Sequence, residues 1–183
     1  MLQNTPPEMT ADDVIEIVHL FTQHHIDICI DGGWGVDALL GVQTRPHADL
    51  DIAMPHKDVE LARRLLGEKG FVDVPRDDTR ECNFVMGDDR GRLIDIHTYT
   101  FDALGNLVFG VPYPFDSLNG SGSVIGYAVQ CITPEWLVKF HTGYPLDEND
   151  YRDTKALCQR FGMAIPGEYE EFERKDAERN PNN

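Results

Sequence analysis

A chain of 183 residues suits one compact unit that buries roughly two-thirds of its unfolded surface, so folding requires no disulfide or structural metal. A formal net charge of −16 excludes DNA, RNA and anionic membranes as principal partners, because those bind through Lys and Arg that release counterions, whereas it permits a cationic small molecule. No stretch approaches the ~20 apolar residues of a membrane span. The N-terminal MLQNTPPEMTADD lacks both the basic and the apolar region of a signal peptide, so a cytoplasmic protein is expected. Cys29, Cys82, Cys131 and Cys158 form no CxxC or CxH pair, which argues against a thiolate zinc site.

Residues 1–9 carry Pro6 and Pro7 without periodicity and read as loose. Thr10 and Asp13 resemble a capping box, and Val14, Ile15, Val18 and Phe21 recur at helical spacing, predicting a helix to about residue 25. The apolar run 26–30 predicts a buried strand. That strand ends at Asp31 and meets Gly32-Gly33, after which GWGVDALLG predicts two helical turns stopping at Gly41. Asp31 and Asp37 read as helix N-terminal charges. After the polar loop VQTRPH, Leu50, Ile52 and Met54 alternate with Asp49, Asp51 and Ala53, a strand with two acidic residues on one face. An amphipathic helix is expected over 57–69, closed by Gly70, followed by strands at 71–74, 81–86 and 92–98 with a turn at 87–91. Residues 100–126 read as irregular loops and short strands, a candidate substrate-facing segment, with 119–126 as a flexible Gly-rich loop, and 127–132 as another strand. Thr133-Pro134 starts a helix through Tyr144, and 147–161 predicts a second one ended by Gly162. The acidic EYEEFERKDAERN beyond it reads as surface. The element order is that of an α+β protein with a mixed sheet, not a regular βαβ alternation.

The chemistry concentrates in three places. Asp49 and Asp51 are two apart on one strand, so their carboxylates point the same way, and their repulsion is compensated by a bound cation; hard oxygen donors suit Mg²⁺. Asp95 interrupts the apolar run Leu93-Ile94-Asp95-Ile96, where an ionised carboxylate is costly unless paired, hydrogen-bonded or metal-bound. Gly32 and Gly33 sit at a strand-to-helix junction, where backbone N–H groups and the helix N-terminus receive a phosphate. A phosphate cradle, a carboxylate-held metal and one further carboxylate as base form a kit for attack on the α-phosphate of a nucleotide.

These residues resemble the polymerase-β-like nucleotidyltransferase superfamily: a double glycine, an acidic pair on a strand, then a later strand carboxylate. DGGWGVDALLG followed by TRPHADLDI resembles the small lincosamide and aminoglycoside nucleotidyltransferases in particular; RLIDIH resembles their third-carboxylate strand, and FHTGYPLDENDYRDTKAL the C-terminal helices of the lincosamide enzymes. The resemblance covers about residues 10–165. It implies a mixed-sheet nucleotidyltransferase core over 10–132 with a C-terminal helical segment over 133–178 packed on it as a single unit. It also implies ATP or another NTP as donor, Mg²⁺ as cofactor, pyrophosphate as product, an antibiotic hydroxyl as acceptor with lincosamides favoured, and a possible homodimer. Asp49 and Asp51 would be metal ligands, joined by Asp95, which would also be the general base. Gly32, Gly33, Trp34, Arg45 and His47 would lie along the nucleotide, Trp34 rather as packing than as a stacking platform. Many superfamily members have Ser after the first glycine, where this chain has Gly33 and Trp34, so backbone amides would serve the phosphate unaided by a hydroxyl. Lys139 is a further phosphate candidate, although a lone helical Lys is normally solvated. His97 is read as sharing no face with the carboxylates. The competing readings are the same chemistry on a non-antibiotic acceptor, a water-using phosphoesterase, and an inert antitoxin-like module; retention of three mutually repelling carboxylates weighs against the last.

Overall fold

The computed structural model describes residues 8–179; residues 1–7, most of the loose N-terminal reading, lie outside the described residues. Helix α1 (Ala11–Gln23) opens with the expected capping box: Thr10 Oγ1 accepts from Asp13 N–H at 3.3 Å, and Asp13 Oδ2 accepts from Thr10 N–H at 3.1 Å. Strand β1 (Cys29–Ile30) leads into α2 (Gly32–Leu40), which stops at Gly41 in the left-handed conformation. Strand β2 (Asp49–Pro55), a 3-10 turn (His56–Asp58) and α3 (Val59–Glu68) follow, then β3 (Val72–Val74), β4 (Asn83–Gly87) and β5 (Leu93–Phe101). Beyond β6 (Leu107–Gly110), β7 (Gly120–Val124) and β8 (Tyr127–Cys131) come α4 (Pro134–Phe140), α5 (Glu148–Phe161) and α6 (Glu170–Arg179).

The eight strands form one mixed sheet in the order β3-β4-β5-β2-β1-β8-β7, with β6 paired to β5. Strict alternation along β2 divides its two faces. Leu50, Ile52 and Met54 are wholly buried with Ile94, Ile96, Phe84 and Met86 under Val14, Ile17, Phe21, Ala62, Leu65 and Leu66 of α1 and α3. The opposite face carries Asp49, Asp51 and Ala53, and a second apolar cluster forms there from Cys29, Val36, Ala53, Tyr113, Leu137, Val138 and Leu157, contributed partly by α4 and α5.

Several expectations are corrected. Only Cys29 and Ile30 of the 26–30 run pair as strand: β8 offers β1 a single register partner (Ile30 with Cys131), and His25 adopts φ 57°, so the chain swings into the sheet late. The helix from Pro134 ends at Phe140 rather than Tyr144, because Thr142 Oγ1 donates to the Lys139 carbonyl at 2.6 Å and Gly143 takes φ 85°. The 100–126 stretch holds the short strands expected of it, but the flexible-loop reading of 119–126 is corrected. Its Gly-Ser run 120–124 is strand β7, paired with β8 from Gly120–Cys131 to Val124–Tyr127. Gly122 is packed so tightly there that an added Cβ would lie 2.9 Å from the Leu39 nitrogen of α2, so small residues in this run reflect strand–helix packing and not a flexible loop. The acidic tail forms α6, which buries no residue of its own.

Candidate active site

Register brings the carboxylates together. β2 and β5 are parallel neighbours with Asp51 opposite Asp95, so Asp49, Asp51 and Asp95 lie on one face of two adjacent strands. The same alternation places His97 two residues beyond Asp95, on that face. Its exclusion from the sequence reading is therefore corrected, since residues i and i+2 of a strand share a side. His97 Nε2 lies 3.4 Å from Asp95 Oδ1, and its Nδ1 lies 3.0 Å from the Tyr113 hydroxyl, which donates to Asp31 Oδ2 at 2.6 Å. Asp31, Tyr113, His97 and Asp95 thus form a continuous polar chain from the α2 N-terminus to the third carboxylate.

The electrostatics show an anionic face that Arg76 and His97 offset only in part. Burial, reinforced by the charges of Asp49, Asp31 and Asp95, pushes the Asp51 carboxyl well above the ordinary aspartate range. Burial also raises Asp95, with His97 and Arg76 opposing and Asp49 and Asp78 adding to the rise. Asp95 Oδ1 is buried and accepts no hydrogen bond, His97 Nε2 lying 3.4 Å away without hydrogen-bond geometry. Tyr113 is held far above the usual phenol range by burial and by Asp31.

The two glycines divide the site between opposite charges. Gly32 has φ 54°, and an added Cβ would land in the Asp51 carboxylate, 2.8 Å from its Cγ. A Cβ on Gly33 would instead lie 2.6 Å from His47 Cε1 and 2.7 Å from Arg45 Nη2. The turn is therefore wedged between the acidic strand face and two basic side chains. Asp31 caps α2 by accepting from Gly32 N–H at 2.8 Å, which leaves the Gly33 and Trp34 N–H groups at the open end of the helix. Trp34 itself is 2% exposed and donates its indole N–H to the Met9 carbonyl at 3.2 Å, so its ring belongs to the core and only its backbone faces the turn.

Arg45 and His47 are more constrained than loop residues of mixed charge. Arg45 is gripped by Asp153 of α5 through Nη2–Oδ2 at 2.7 Å and Nε–Oδ1 at 3.3 Å. His47, 3% exposed, lies 2.5 Å through Nε2 from Asp37 Oδ2. Asp37 is accordingly not a helix N-terminal charge. It sits inside α2, where its other oxygen also accepts from the Thr44 N–H and hydroxyl. Lys139 is exposed on α4, its ammonium 4.0 Å from the Trp136 ring centroid one helical turn back, and it is not among the residues lining the cavity beside the carboxylates.

A cavity of about 340 Å³ opens beside the carboxylates. Asp31, Gly32, Asp51 and His97 form its polar end, and Val111, Pro112, Tyr113, Phe140, His141 and Tyr144 the remainder. Sequence reasoning singled out the 100–126 stretch as substrate-facing and noted Tyr144 by the C-terminal helix, but it did not pick out Tyr113 or Phe140, because nothing in an irregular stretch or a helix end marks one aromatic as cavity-lining. His97 was legible, through the period of two along its strand.

This arrangement can be compared with known proteins. A model of the aminoglycoside-2''-adenylyltransferase family matches residues 13–157, a span that contains the glycines and carboxylates of this site. The chain belongs to this family. Its family is one of antibiotic-modifying nucleotidyltransferases, and its fold is the polymerase-β-like nucleotidyltransferase fold. It is 29% identical over 157 residues to a lincosamide resistance protein of Staphylococcus haemolyticus, covering 81% of this chain and 94% of that one. The lincosamide antibiotic adenylyltransferase LnuA, solved with lincomycin bound, superposes with a TM-score of 0.72 at 25% identity, over 82% of this chain and 97% of LnuA. ANT(2'')-Ia in complex with adenylyl-2''-tobramycin shares the fold, with a TM-score of 0.69 at 18% identity over 83% and 89% of the two chains.

Proposed function

We propose that this enzyme transfers AMP from ATP to a hydroxyl of a lincosamide, releasing pyrophosphate. The observation that carries the acceptor assignment is the cavity: it opens directly on Asp51 and His97, and the rest of its wall is mainly Val111, Pro112, Tyr113, Phe140 and Tyr144, with His141 among them. Such a surface suits an acceptor with a large apolar part and a single basic amine, as lincosamides have. Aminoglycosides carry several ammonium groups and call for several carboxylates around them, whereas the carboxylates lining this cavity are Asp31 and Asp51, both at the reaction end. The similarity to lincosamide enzymes supports the same choice.

In this reading the acceptor hydroxyl lies at the polar end of the cavity. Asp95 takes its proton, the freed oxygen attacks the α-phosphorus, and the bond to pyrophosphate breaks. Burial, which raises Asp95, suits it to that task, and His97 and Tyr113 fix its surroundings. The Gly33 and Trp34 amides, with Arg45 and His47 beside them, face the triphosphate.

Asp49, Asp51 and Asp95 would hold a divalent cation, and the fit rests on the orphaned Asp95 oxygen and the elevated Asp51. Among the described residues no three Asp, Glu, His or Cys side chains converge as a ready-made metal cage. Mg²⁺ is usually held by one or two carboxylates, here the strand pair Asp49 and Asp51 in the first place, and takes the rest of its shell from water and substrate phosphates. When bound, it would neutralise charge on the phosphate oxygens.

The test is pyrophosphate release with Mg²⁺ and each NTP, run against lincomycin, clindamycin and a panel of aminoglycosides, with mass spectrometry of the drug. ATP-dependent addition of AMP to a lincosamide, abolished by Asp95→Asn, is the expected result. Turnover of aminoglycosides alone would overturn the acceptor assignment.

A further inference from the structure

Arg45 is fixed from a distance of 108 residues in sequence, by a carboxylate on the C-terminal helix α5. Asp153 is 3% exposed, a burial that an Asp tolerates only when paired. Its partner is the Arg45 fork: Oδ1 accepts from Nε at 3.3 Å and Oδ2 from Nη2 at 2.7 Å. Nη1 donates to the Pro46 carbonyl at 3.3 Å. A guanidinium has five N–H donors, so these three bonds leave one on Nη1 and one on Nη2. Nη2 is the nitrogen packed against Gly33, beside the open amides at the start of α2. A clip meant only to tie the loop to α5 would have no need to bring the spare donor to this turn.

We infer that Asp153 is a positioning residue for nucleotide binding. It locks the Arg45 side chain in the one orientation that offers its spare N–H groups to the polyphosphate over Gly33, and so makes α5 part of the nucleotide site without touching the nucleotide. Two effects of Asp153 oppose each other. It offsets part of the Arg45 charge, which weakens attraction for an anion. It also removes rotamer freedom that an unpaired Arg would lose on binding, and turns the fork the right way. The bidentate geometry and the burial of Asp153 make the second effect the larger.

The inference rests on the reading of Arg45 as a residue facing the triphosphate, and the experiment separates the two. Binding of ATP with Mg²⁺, in the absence of acceptor, is measured by calorimetry for the wild type, R45Q, D153N, D153E and the R45Q/D153N double variant, together with lincomycin affinity and thermal midpoint. R45Q is expected to weaken ATP binding ~10- to 100-fold, the scale of a lost charge-assisted hydrogen bond. D153N is expected to weaken it about 5- to 10-fold with lincomycin affinity unchanged, and D153E to restore part of the loss. The double variant is expected to be no weaker than R45Q alone, because Asp153 acts through Arg45. The double variant also lacks both charges of the pair, so it reports on this point even if D153N folds poorly. Wild-type ATP affinity in R45Q would remove Arg45 from the nucleotide site and the inference with it. Loss in R45Q with unchanged or tighter binding in D153N would overturn the positioning role alone, as would an additive double variant.

Discussion

Replacing Asp51 by Asn should make the metal-free protein more stable while abolishing transfer. Asp51 faces Asp95 across adjacent strands, whose spacing is about 4.8 Å, and shares its strand face with Asp49. Two unit charges ~5 Å apart repel by about 3 kcal/mol at an effective dielectric of 20, and solvent in the adjoining cavity screens part of this. The Asp51 side chain accepts no hydrogen bond among the described residues, so the isosteric amide loses no bond. A net gain of ~1–3 kcal/mol at neutral pH follows, or several degrees in Tm for a chain of this size. The pH dependence has a definite sign. Because folding raises the Asp51 carboxyl, its favourable contribution is present below the ordinary aspartate value and is lost as pH rises through the folded one. The stability gap between variant and wild type should therefore be widest at neutral pH and close on acidification. Urea unfolding followed by circular dichroism, in EDTA at pH 7.5 and pH 4.5, measures both points, and the drug-modification assay reports activity. A variant no more stable than wild type at pH 7.5, or a gap indifferent to pH, would refute the account of this face as carrying a net excess of negative charge.

Gly32→Ala should cost about 1–2 kcal/mol from its left-handed φ alone, and more because its Cβ invades the Asp51 carboxylate; transfer should fall further than stability does, as turnover and Tm of the same sample will show. Arg92 is 5% exposed and binds Asp88 at 2.7 Å, Asp13 at 2.9 Å and Glu16 at 3.0 Å. Arg92→Leu should cost ~3–5 kcal/mol in urea unfolding without moving the KM for ATP, since the cluster lies under α1 and away from the cavity. In the wild type, burial alone would raise Asp88, Asp13 and Glu16, but their hydrogen bonds with Arg92 and their neighbours hold all three below their ordinary values. Their contribution should thus be lost as pH falls through those depressed values, and a Tm profile below pH 5 checks this. Phe140→Ala, which removes a ring from the cavity at 5.6 Å from Tyr113, should raise the KM for lincomycin about tenfold and leave that for ATP unchanged in steady-state kinetics.

Much of the site was legible because its chemistry is local. The period of two along a strand fixes that Asp49 and Asp51 share a side, and a double glycine between strand and helix marks a place where backbone must approach something closely. The caps at Thr10 and Asp31 and the left-handed stop at Gly41 are likewise short-range, set by residues within one turn. What the sequence left open depends on long-range pairing. That Asp95 stands opposite Asp51 follows from the parallel register of β2 and β5, strands 44 residues apart in the chain at that pair. Arg45 could be read as a phosphate candidate, but its partner Asp153 and its place against Gly33 exist only once α5 packs on α2. Lys139 and Tyr144 lie five residues apart, and only the early end of α4 decides that the tyrosine reaches the cavity while the lysine lies on Trp136. The sequence by itself determined which groups could do chemistry; tertiary structure decided which of them meet, because charge repulsion, burial and hydrogen-bond geometry act between neighbours in space, whatever their separation along the chain.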